Sequence, residues 1–164
     1  MNIYGIIAAM QEEINEIENI MKNTNSIEIF GLTFVKGIIN KSEVILVEAG
    51  VGKVNAARTT QILIDNFKID AIINVGSAAS AKDDLDIGDI VIGKELVQHD
   101  FDITAFGHPK GYISNVGKYI ESDKTGTIYE HCIKSIEKSL NFGKHGLPKI
   151  GSGDWNDGMN EVGN

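Results

Sequence analysis

Two carboxylates at the end of the first apolar segment are the residues best placed to act on water. The string "AAMQEE" (residues 8–13) leads from apolar residues into a helical pattern and places Glu12 and Glu13 in the first helical turn. A carboxylate there is stabilised by the positive end of the helix, so dipole compensation is one interpretation. The other is general-base chemistry, because a carboxylate beside a strand end can polarise a water molecule. Both interpretations stay open on these residues alone.

Two later turns offer backbone amides to a ligand. The string "AGVGKVNAA" (49–57) places glycines before a helix, as at sites where the backbone approaches an anion, although a P-loop pattern is absent and a tight turn is the alternative. In the string "NVGSAAS" (74–80) a buried strand ends at Gly76 and Ser77, whose amides and hydroxyl suit a ribose hydroxyl or an anion. An ordinary strand-to-loop turn would have a similar sequence.

A polar segment, "QHDFDITAFGHP" (98–109), holds four side chains that can bind metals: His99, Asp100, Asp102 and His108. Their spacing matches no zinc pattern, and a polar loop around one buried Phe is the alternative. We therefore predict no metal site.

Apolar patterning indicates the elements that position these groups. Continuous apolar runs predict strands at 3–9, 70–80 and 90–100, and the β-rich segments between 27 and 49 predict a meander. Amphipathic spacing predicts helices at 11–21 and 50–67, the second burying Val54, Ala57, Ile62 and Leu63. This alternation predicts an α/β fold with its site at the carboxyl ends of the strands.

The last forty residues differ in pattern from the rest. Ile128, Cys132 and Leu140 have helical spacing and Gly143 follows them, which predicts a C-terminal helix with a glycine cap. The glycine-rich remainder has no periodicity and predicts a loop.

Composition and charge argue against several classes of partner and compartment. The 164 residues have a net charge of −8 without a basic run, which disfavours nucleic acid and anionic membranes. No apolar stretch approaches the roughly 20 residues that cross a bilayer, and the apolar start lacks a signal peptide's basic region. The single cysteine, Cys132, excludes an internal disulfide, so we expect a cytoplasmic protein.

Five segments of the chain occur in this order: "GIIAAMQEE", "VEAGVGKVNAA", "IINVGSAAS", "DIGDIVI" and "HDFDITAFG". Together they closely resemble the amino-terminal half of the 5′-methylthioadenosine/S-adenosylhomocysteine nucleosidases, of the nucleoside phosphorylase superfamily. The resemblance covers residues 1–123. It implies a mixed sheet with flanking helices, a homodimer active in methionine salvage, and hydrolysis of the N-glycosidic bond to adenine without a cofactor.

The resemblance also implies roles for individual residues. Glu13 matches the carboxylate that activates the attacking water, and His108 matches a residue that reaches the partner subunit's site. Ala79 stands where the family commonly has glycine. The positions that match the lining of the substrate pocket are Met10, Val51, Ser77, Ala78, Ala79, Ile103 and Phe106.

Two parts of the family's site have no match in this sequence. Neither an "MExxA" segment, which holds the ribose, nor an "SDxA"-type segment with the aspartate that protonates the purine is found. We therefore expect a truncated nucleoside phosphorylase-like domain over 1–123, with weak or no activity.

The tail, residues 126–164, resembles an internal segment of the cellobiose, cellodextrin and chitobiose phosphorylases. Its string "HGLPKIGSGDWNDGMN" implies that Asp157 is the general acid of that family and that Trp155 lies against the sugar. One helix and one loop cannot build the cavity that such an acid needs, which favours a solvated Asp157. We therefore expect a foreign tail over 124–164, from a joined or misassembled reading frame or a fusion.

Three hypotheses follow for function. The leading one is a purine nucleosidase acting through Glu13. The alternatives are a carbohydrate phosphorylase fragment acting through Asp157 and a non-catalytic nucleoside-binding or dimer-forming remnant.

Overall fold

The computed structural model describes residues 2–80, 85–122, 134 and 150–153. The chain divides into two compact units, with the boundary after Ala79. The first contains five strands and two helices: β1 (Ile3–Ala8), α1 (Gln11–Ile20), β2 (Lys22–Ile29), β3 (Leu32–Ile39), β4 (Ser42–Glu48), α2 (Lys53–Asn66) and β5 (Ala71–Asn74).

The five strands form one mixed sheet in the order β2-β3-β4-β1-β5. The meander β2-β3-β4 is antiparallel, whereas β1 is parallel to both β4 and β5. The β2–β3 hairpin turns through Phe30 and Gly31, both with positive φ, as a two-residue primed turn requires. The predicted α/β class with a mixed sheet and flanking helices is confirmed.

Both faces of this sheet are covered by apolar side chains. On one face Ile14 of α1 and Met21 pack with Ile6, Ala8, Val44 and Leu46. On the other face Leu63 of α2 packs with Ile7, Phe34, Ile45 and Val47. Neighbouring strand residues point to opposite faces, so burial on both sides explains the continuous apolar runs of β1 and β4.

The inner face of α2 differs from the prediction. Thr59 and Leu63 are fully buried and Ile62 packs at their flank, but Val54 is 82% exposed and Ala57 is also exposed. Residues of a helix are separated by about 100° of rotation, so Ala57 lies about 200° from Thr59, on the outer side. The prediction was therefore wrong for Val54 and Ala57.

The second unit contains short elements: β6 (Ile90–Gly93), β7 (Glu95–Leu96), a 3-10 helix (Thr104–Phe106), β8 (Ile120–Glu121) and β9 (Ile150–Gly153). β6 and β9 pair in parallel, and β7 and β8 pair antiparallel. The predicted strand over 90–100 is thus broken into two. Residues 150–153 form a strand where a loop was predicted, because backbone pairing needs no apolar pattern.

Several predictions concern residues outside the described ranges. They are the C-terminal helix, apart from Lys134, and the positions of Trp155 and Asp157. Among the residues that the structure describes, no helix is long and apolar enough to span a membrane.

Candidate functional site

Three chain segments leave the first unit's sheet at the same edge. β1 runs parallel to β4 and β5, so the carboxyl ends of these strands are neighbours. The pairing extends past the strands, since the Ala49 amide donates to the Ala8 carbonyl over 2.8 Å and the Val75 amide donates to the Ile7 carbonyl over 3.0 Å. The segments 9–13, 49–52 and 75–79 therefore begin at one edge, as the sequence predicted.

Glu13 lies in the first turn of α1 and points back toward the end of β1. Its Oε2 accepts hydrogen bonds from the Ala9 amide over 3.0 Å and from the Met10 amide over 3.1 Å. Met10 is the N-cap residue with an extended backbone, and the Glu13 amide donates to its carbonyl over 3.1 Å. A carboxylate at the third helical position that reaches back to the N-cap amide stabilises the start of a helix.

The other oxygen of Glu13 joins α1 to the loop after β5. Oε1 accepts hydrogen bonds from the Ser77 amide over 2.9 Å and from the Ser77 hydroxyl over 3.2 Å. The sequence predicted that the Ser77 amide and hydroxyl could receive an anion, and in this structure the anion is the chain's own Glu13. Glu12, by contrast, is exposed.

These hydrogen bonds favour the ionised form of Glu13. The Ser77 amide contributes most to a lowered pKa of the Glu13 carboxyl, the Met10 and Ala9 amides and the Ser77 hydroxyl lower it further, and partial burial opposes them. Hydrogen bonds to the ionised form favour ionisation. Glu13 is therefore a carboxylate at neutral pH and can accept a proton from a polarised water molecule.

Gly76 permits the close approach of Glu13 to the β5 loop. A Cβ atom at this position would lie 3.1 Å from Glu13 Oε1 and 3.5 Å from its Cδ. A side chain here would push the carboxylate away from the Ser77 amide. The sequence pattern singled out the backbone amide of Gly76 as a candidate ligand but not this contact with Glu13, although a glycine directly before Ser77 at a strand end was the available signal.

The loop between β4 and α2 completes this edge. Gly50 and Gly52 have φ values of 81° and 111°, which favour glycine, and Gly52 is the N-cap of α2. The Asn55 amide group donates to the Val51 carbonyl over 2.9 Å, so the Val51 side chain, 69% exposed, is held at the start of the helix. Met10 is 38% exposed. Two apolar side chains therefore lie in solvent on segments that begin at this edge.

Four of the candidate residues named from the sequence, Asp102, Ile103, Phe106 and His108, belong to the second unit. Asp102 Oδ1 accepts hydrogen bonds from the Thr104 amide (3.0 Å) and hydroxyl (2.8 Å), which lower the pKa of Asp102 and hold the 3-10 turn. Ile103 precedes this turn and is half-buried, whereas Phe106 at its end is 81% exposed. The exposed His108 ring stacks on Tyr112 with ring centroids 4.5 Å apart.

The structure thus brings Met10, Glu13 and Ser77 together by hydrogen bonds. Ala78 and Ala79 follow Ser77 as exposed residues of the same loop. Within the described ranges, no group of three or more His, Cys, Asp or Glu side chains is arranged to hold a metal ion. Asp157 lies outside those ranges.

Comparison with known proteins identifies the family. Residues 3–139 match the family model of the Phosphorylase superfamily, a match that continues past residue 123. The 5′-methylthioadenosine/S-adenosylhomocysteine nucleosidase of Staphylococcus haemolyticus is 38% identical over 153 residues. That alignment covers 92% of this chain but 64% of the relative, so the chain spans less than two thirds of the relative's length.

Solved structures agree with this comparison. A nucleosidase of the same name from Neisseria meningitidis, in complex with methylthio-immucillin-A, is similar with a TM-score of 0.82 and 30% identity, covering 93% of this chain and 63% of that one. The S-adenosylhomocysteine nucleosidase of Streptococcus pyogenes has a TM-score of 0.77 and 35% identity, covering 92% of this chain and 61% of that one. The resemblance of the tail to carbohydrate phosphorylases stays a prediction. The family match over most of its length shows that the chain belongs to the Phosphorylase superfamily.

Proposed function

We propose that this chain acts in hydrolysis of the N-glycosidic bond of 5′-methylthioadenosine or S-adenosylhomocysteine, with release of adenine. The observation that carries the proposal is Glu13, an ionised carboxylate held by three backbone amides and one hydroxyl at the carboxyl edge of three parallel strands. Support for the substrate class comes from the similar nucleosidases and from the adenosine-like inhibitors named with their structures.

In the proposed reaction Glu13 orients a water molecule toward the anomeric carbon of the ribose. The water oxygen forms a bond to this carbon, the bond to adenine breaks, and adenine departs with the bonding electron pair. Glu13 accepts the proton that the water loses, which is the role of a general base. Adenine must also gain a proton, and the 164 residues contain no "SDxA"-type segment with the aspartate that the family uses for that step.

We assign substrate contacts to the residues around Glu13. Exposed Met10 and Val51 offer apolar surface to the ribose and alkylthio group, and the Ser77 hydroxyl offers a partner to a ribose hydroxyl. Ala78 and Ala79 offer backbone groups beside the base. From the second unit, we assign Ile103 and exposed Phe106 to the alkylthio group on the basis of the sequence match.

We further propose a homodimer in which His108 reaches the site of the partner subunit. Exposed apolar residues support an interface: Val54 and Ile64 on α2 are 82% and 50% exposed, and Phe106 is 81% exposed. Apolar side chains in such positions favour burial against another chain. Sedimentation velocity tests this, since a monomer at all micromolar concentrations would refute the dimer.

The proposed function is tested by adenine release from 5′-methylthioadenosine. General-base catalysis typically contributes about 10²–10⁴-fold, so we expect Glu13→Gln to reduce kcat by about that factor. Glu12→Gln is the matched control, because Glu12 lies in the same helical turn but is exposed. Equal losses in the two variants would refute the role of Glu13.

Other outcomes distinguish the alternative functions. Binding of methylthio-immucillin-A by the folded wild-type protein without any adenine release would indicate the non-catalytic remnant. Phosphate-dependent release of a sugar 1-phosphate from cellobiose, lost in Asp157→Asn, would indicate the carbohydrate phosphorylase fragment, and we expect none.

A further inference from the structure

All hydrogen-bonding positions of the Glu13 carboxylate are occupied. A carboxylate has about four lone-pair positions, two on each oxygen. Oε2 accepts from the Ala9 and Met10 amides, and Oε1 accepts from the Ser77 amide and the Ser77 hydroxyl. A general base must hydrogen-bond the water it activates. One of the four existing donors must therefore withdraw before Glu13 can act.

Three of these donors are fixed by the fold. The Ala9 and Met10 amides belong to the junction between β1 and α1. The Ser77 amide lies two residues after Val75, whose amide is bonded to the Ile7 carbonyl over 3.0 Å. Withdrawal of any of these amides would require movement of the backbone next to the sheet.

The Ser77 hydroxyl is the donor that can leave at low cost. Its bond to Glu13 is the longest of the four at 3.2 Å, and Ser77 is exposed. A hydroxyl changes partner by rotation about one side-chain bond, without backbone movement. A ribose hydroxyl oxygen offers the Ser77 hydroxyl a replacement acceptor, although a neutral one that is weaker than the carboxylate.

We infer that the Ser77 hydroxyl occupies the lone pair of Glu13 Oε1 that the attacking water needs, and that it turns to a ribose hydroxyl when the nucleoside binds. The inference rests on the proposed function. Ser77 is thereby a positioning residue with two states. The lone pair of Glu13 Oε1 thus becomes available to the attacking water only after the substrate has bound.

The test compares pH profiles of the wild-type protein and Ser77→Ala. This variant loses the hydroxyl but keeps the hydrogen bond from the backbone amide of residue 77 to Glu13, so the fold is retained. The profile of kcat/KM reports the free protein and that of kcat reports the complex. We expect the acid limb of kcat/KM to shift to higher pH in Ser77→Ala, with a raised KM, while the acid limbs of kcat coincide.

Two control variants distinguish the loss of the Ser77 hydroxyl from a nonspecific loss of structure or activity. Ser77→Thr retains a hydroxyl and should restore the wild-type acid limb of kcat/KM, and Ser26→Ala, at an exposed position of β2, should leave both profiles unchanged. Equal shifts of both acid limbs in Ser77→Ala would mean that the hydroxyl stays on Glu13 in the complex, which overturns the inference.

A second measurement does not depend on turnover. Titration of the ¹³C-labelled carboxyl of Glu13 by NMR should give a higher pKa in ligand-free Ser77→Ala than in the wild type. Identical pKa values would overturn the inference. No adenine release from folded wild-type protein would instead refute the proposed function, and the titration alone would then decide whether the hydroxyl holds Glu13.

Discussion

A methyl group added at Gly5 should destabilise the first unit through one contact that can itself be removed. A Cβ atom at Gly5 would lie 2.5 Å from Leu63 Cδ2 and 3.2 Å from Leu63 Cγ. Carbon atoms in contact are about 3.5–4.0 Å apart, so the overlap is about 1 Å. Overpacking of this kind costs about 1–3 kcal/mol, which we expect for Gly5→Ala.

Leu63→Ala supplies the second side of a double-mutant cycle. Leu63 is fully buried, and truncation of such a leucine costs about 2–5 kcal/mol. In that background the methyl group at position 5 enters the vacated space, so Gly5→Ala should become neutral or slightly stabilising. The expected coupling between the two substitutions is therefore about 1–3 kcal/mol in favour of the double variant.

The assay is urea unfolding of the four proteins, followed by the circular dichroism of the helices. The slope of the transition should stay constant, so that changes in midpoint report stability. Additive effects within about 0.5 kcal/mol would refute close packing of α2 against β1 at Gly5. A wild-type-like Gly5→Ala variant would refute it as well.

Two further expectations concern the surroundings of Glu13. Gly76→Ala should lower the rate of adenine release, because its methyl group would displace Glu13 Oε1. Gly93→Ala is the control, since its Cβ atom would meet Leu96 Cδ2 at an ordinary distance of 3.5 Å. Equal rates of adenine release in the two variants would contradict the contact between Gly76 and Glu13. Stability should also depend on Glu13 at acid pH. Its folded-state pKa lies below the unfolded value near 4.5, so the ionised form stabilises the fold above that value and this contribution is lost as pH falls through the folded pKa. The wild type should exceed Glu13→Gln in urea midpoint at about pH 6, and this advantage should shrink as the pH falls below 4.5. A difference that stays constant would refute the linkage.

Sequence patterns predicted the strands that are buried on both faces, and they predicted the helix α1, which buries one regular face. The apolar run at 3–9 and the spacing of Ile14 and Met21 correspond to β1 and to the packing of α1. The pattern misled for α2, where Val54 and Ala57 are apolar but exposed. Apolar residues near the start of a helix do not reveal which side meets the sheet, since the close approach at Gly5 and Leu63 decides that orientation.

The candidate site shows the same division. Residue types and the family resemblance singled out Glu13 and Ser77 separately, each with an ordinary structural alternative. Helix-start stabilisation at Glu13 leaves room for the proposed general-base role, because one oxygen accepts a hydrogen bond from the Met10 amide while the other faces Ser77. The sequence did not reveal why a glycine is needed at position 76, because the need arises from contact with Glu13, which is distant in the sequence.

Residue patterns were enough to predict the α/β class, the acidic and apolar segments that become its elements, and the family to which the chain belongs. The hydrogen bond between Glu13 and Ser77, which are 64 residues apart, could be recognised only in the folded chain. It depends on the parallel register of β1 and β5, in which Ile7 lies beside Asn74. Parallel strands have their carboxyl ends at one edge of the sheet. The loop after β5 therefore lies beside the segment that follows β1, and their residues can form hydrogen bonds.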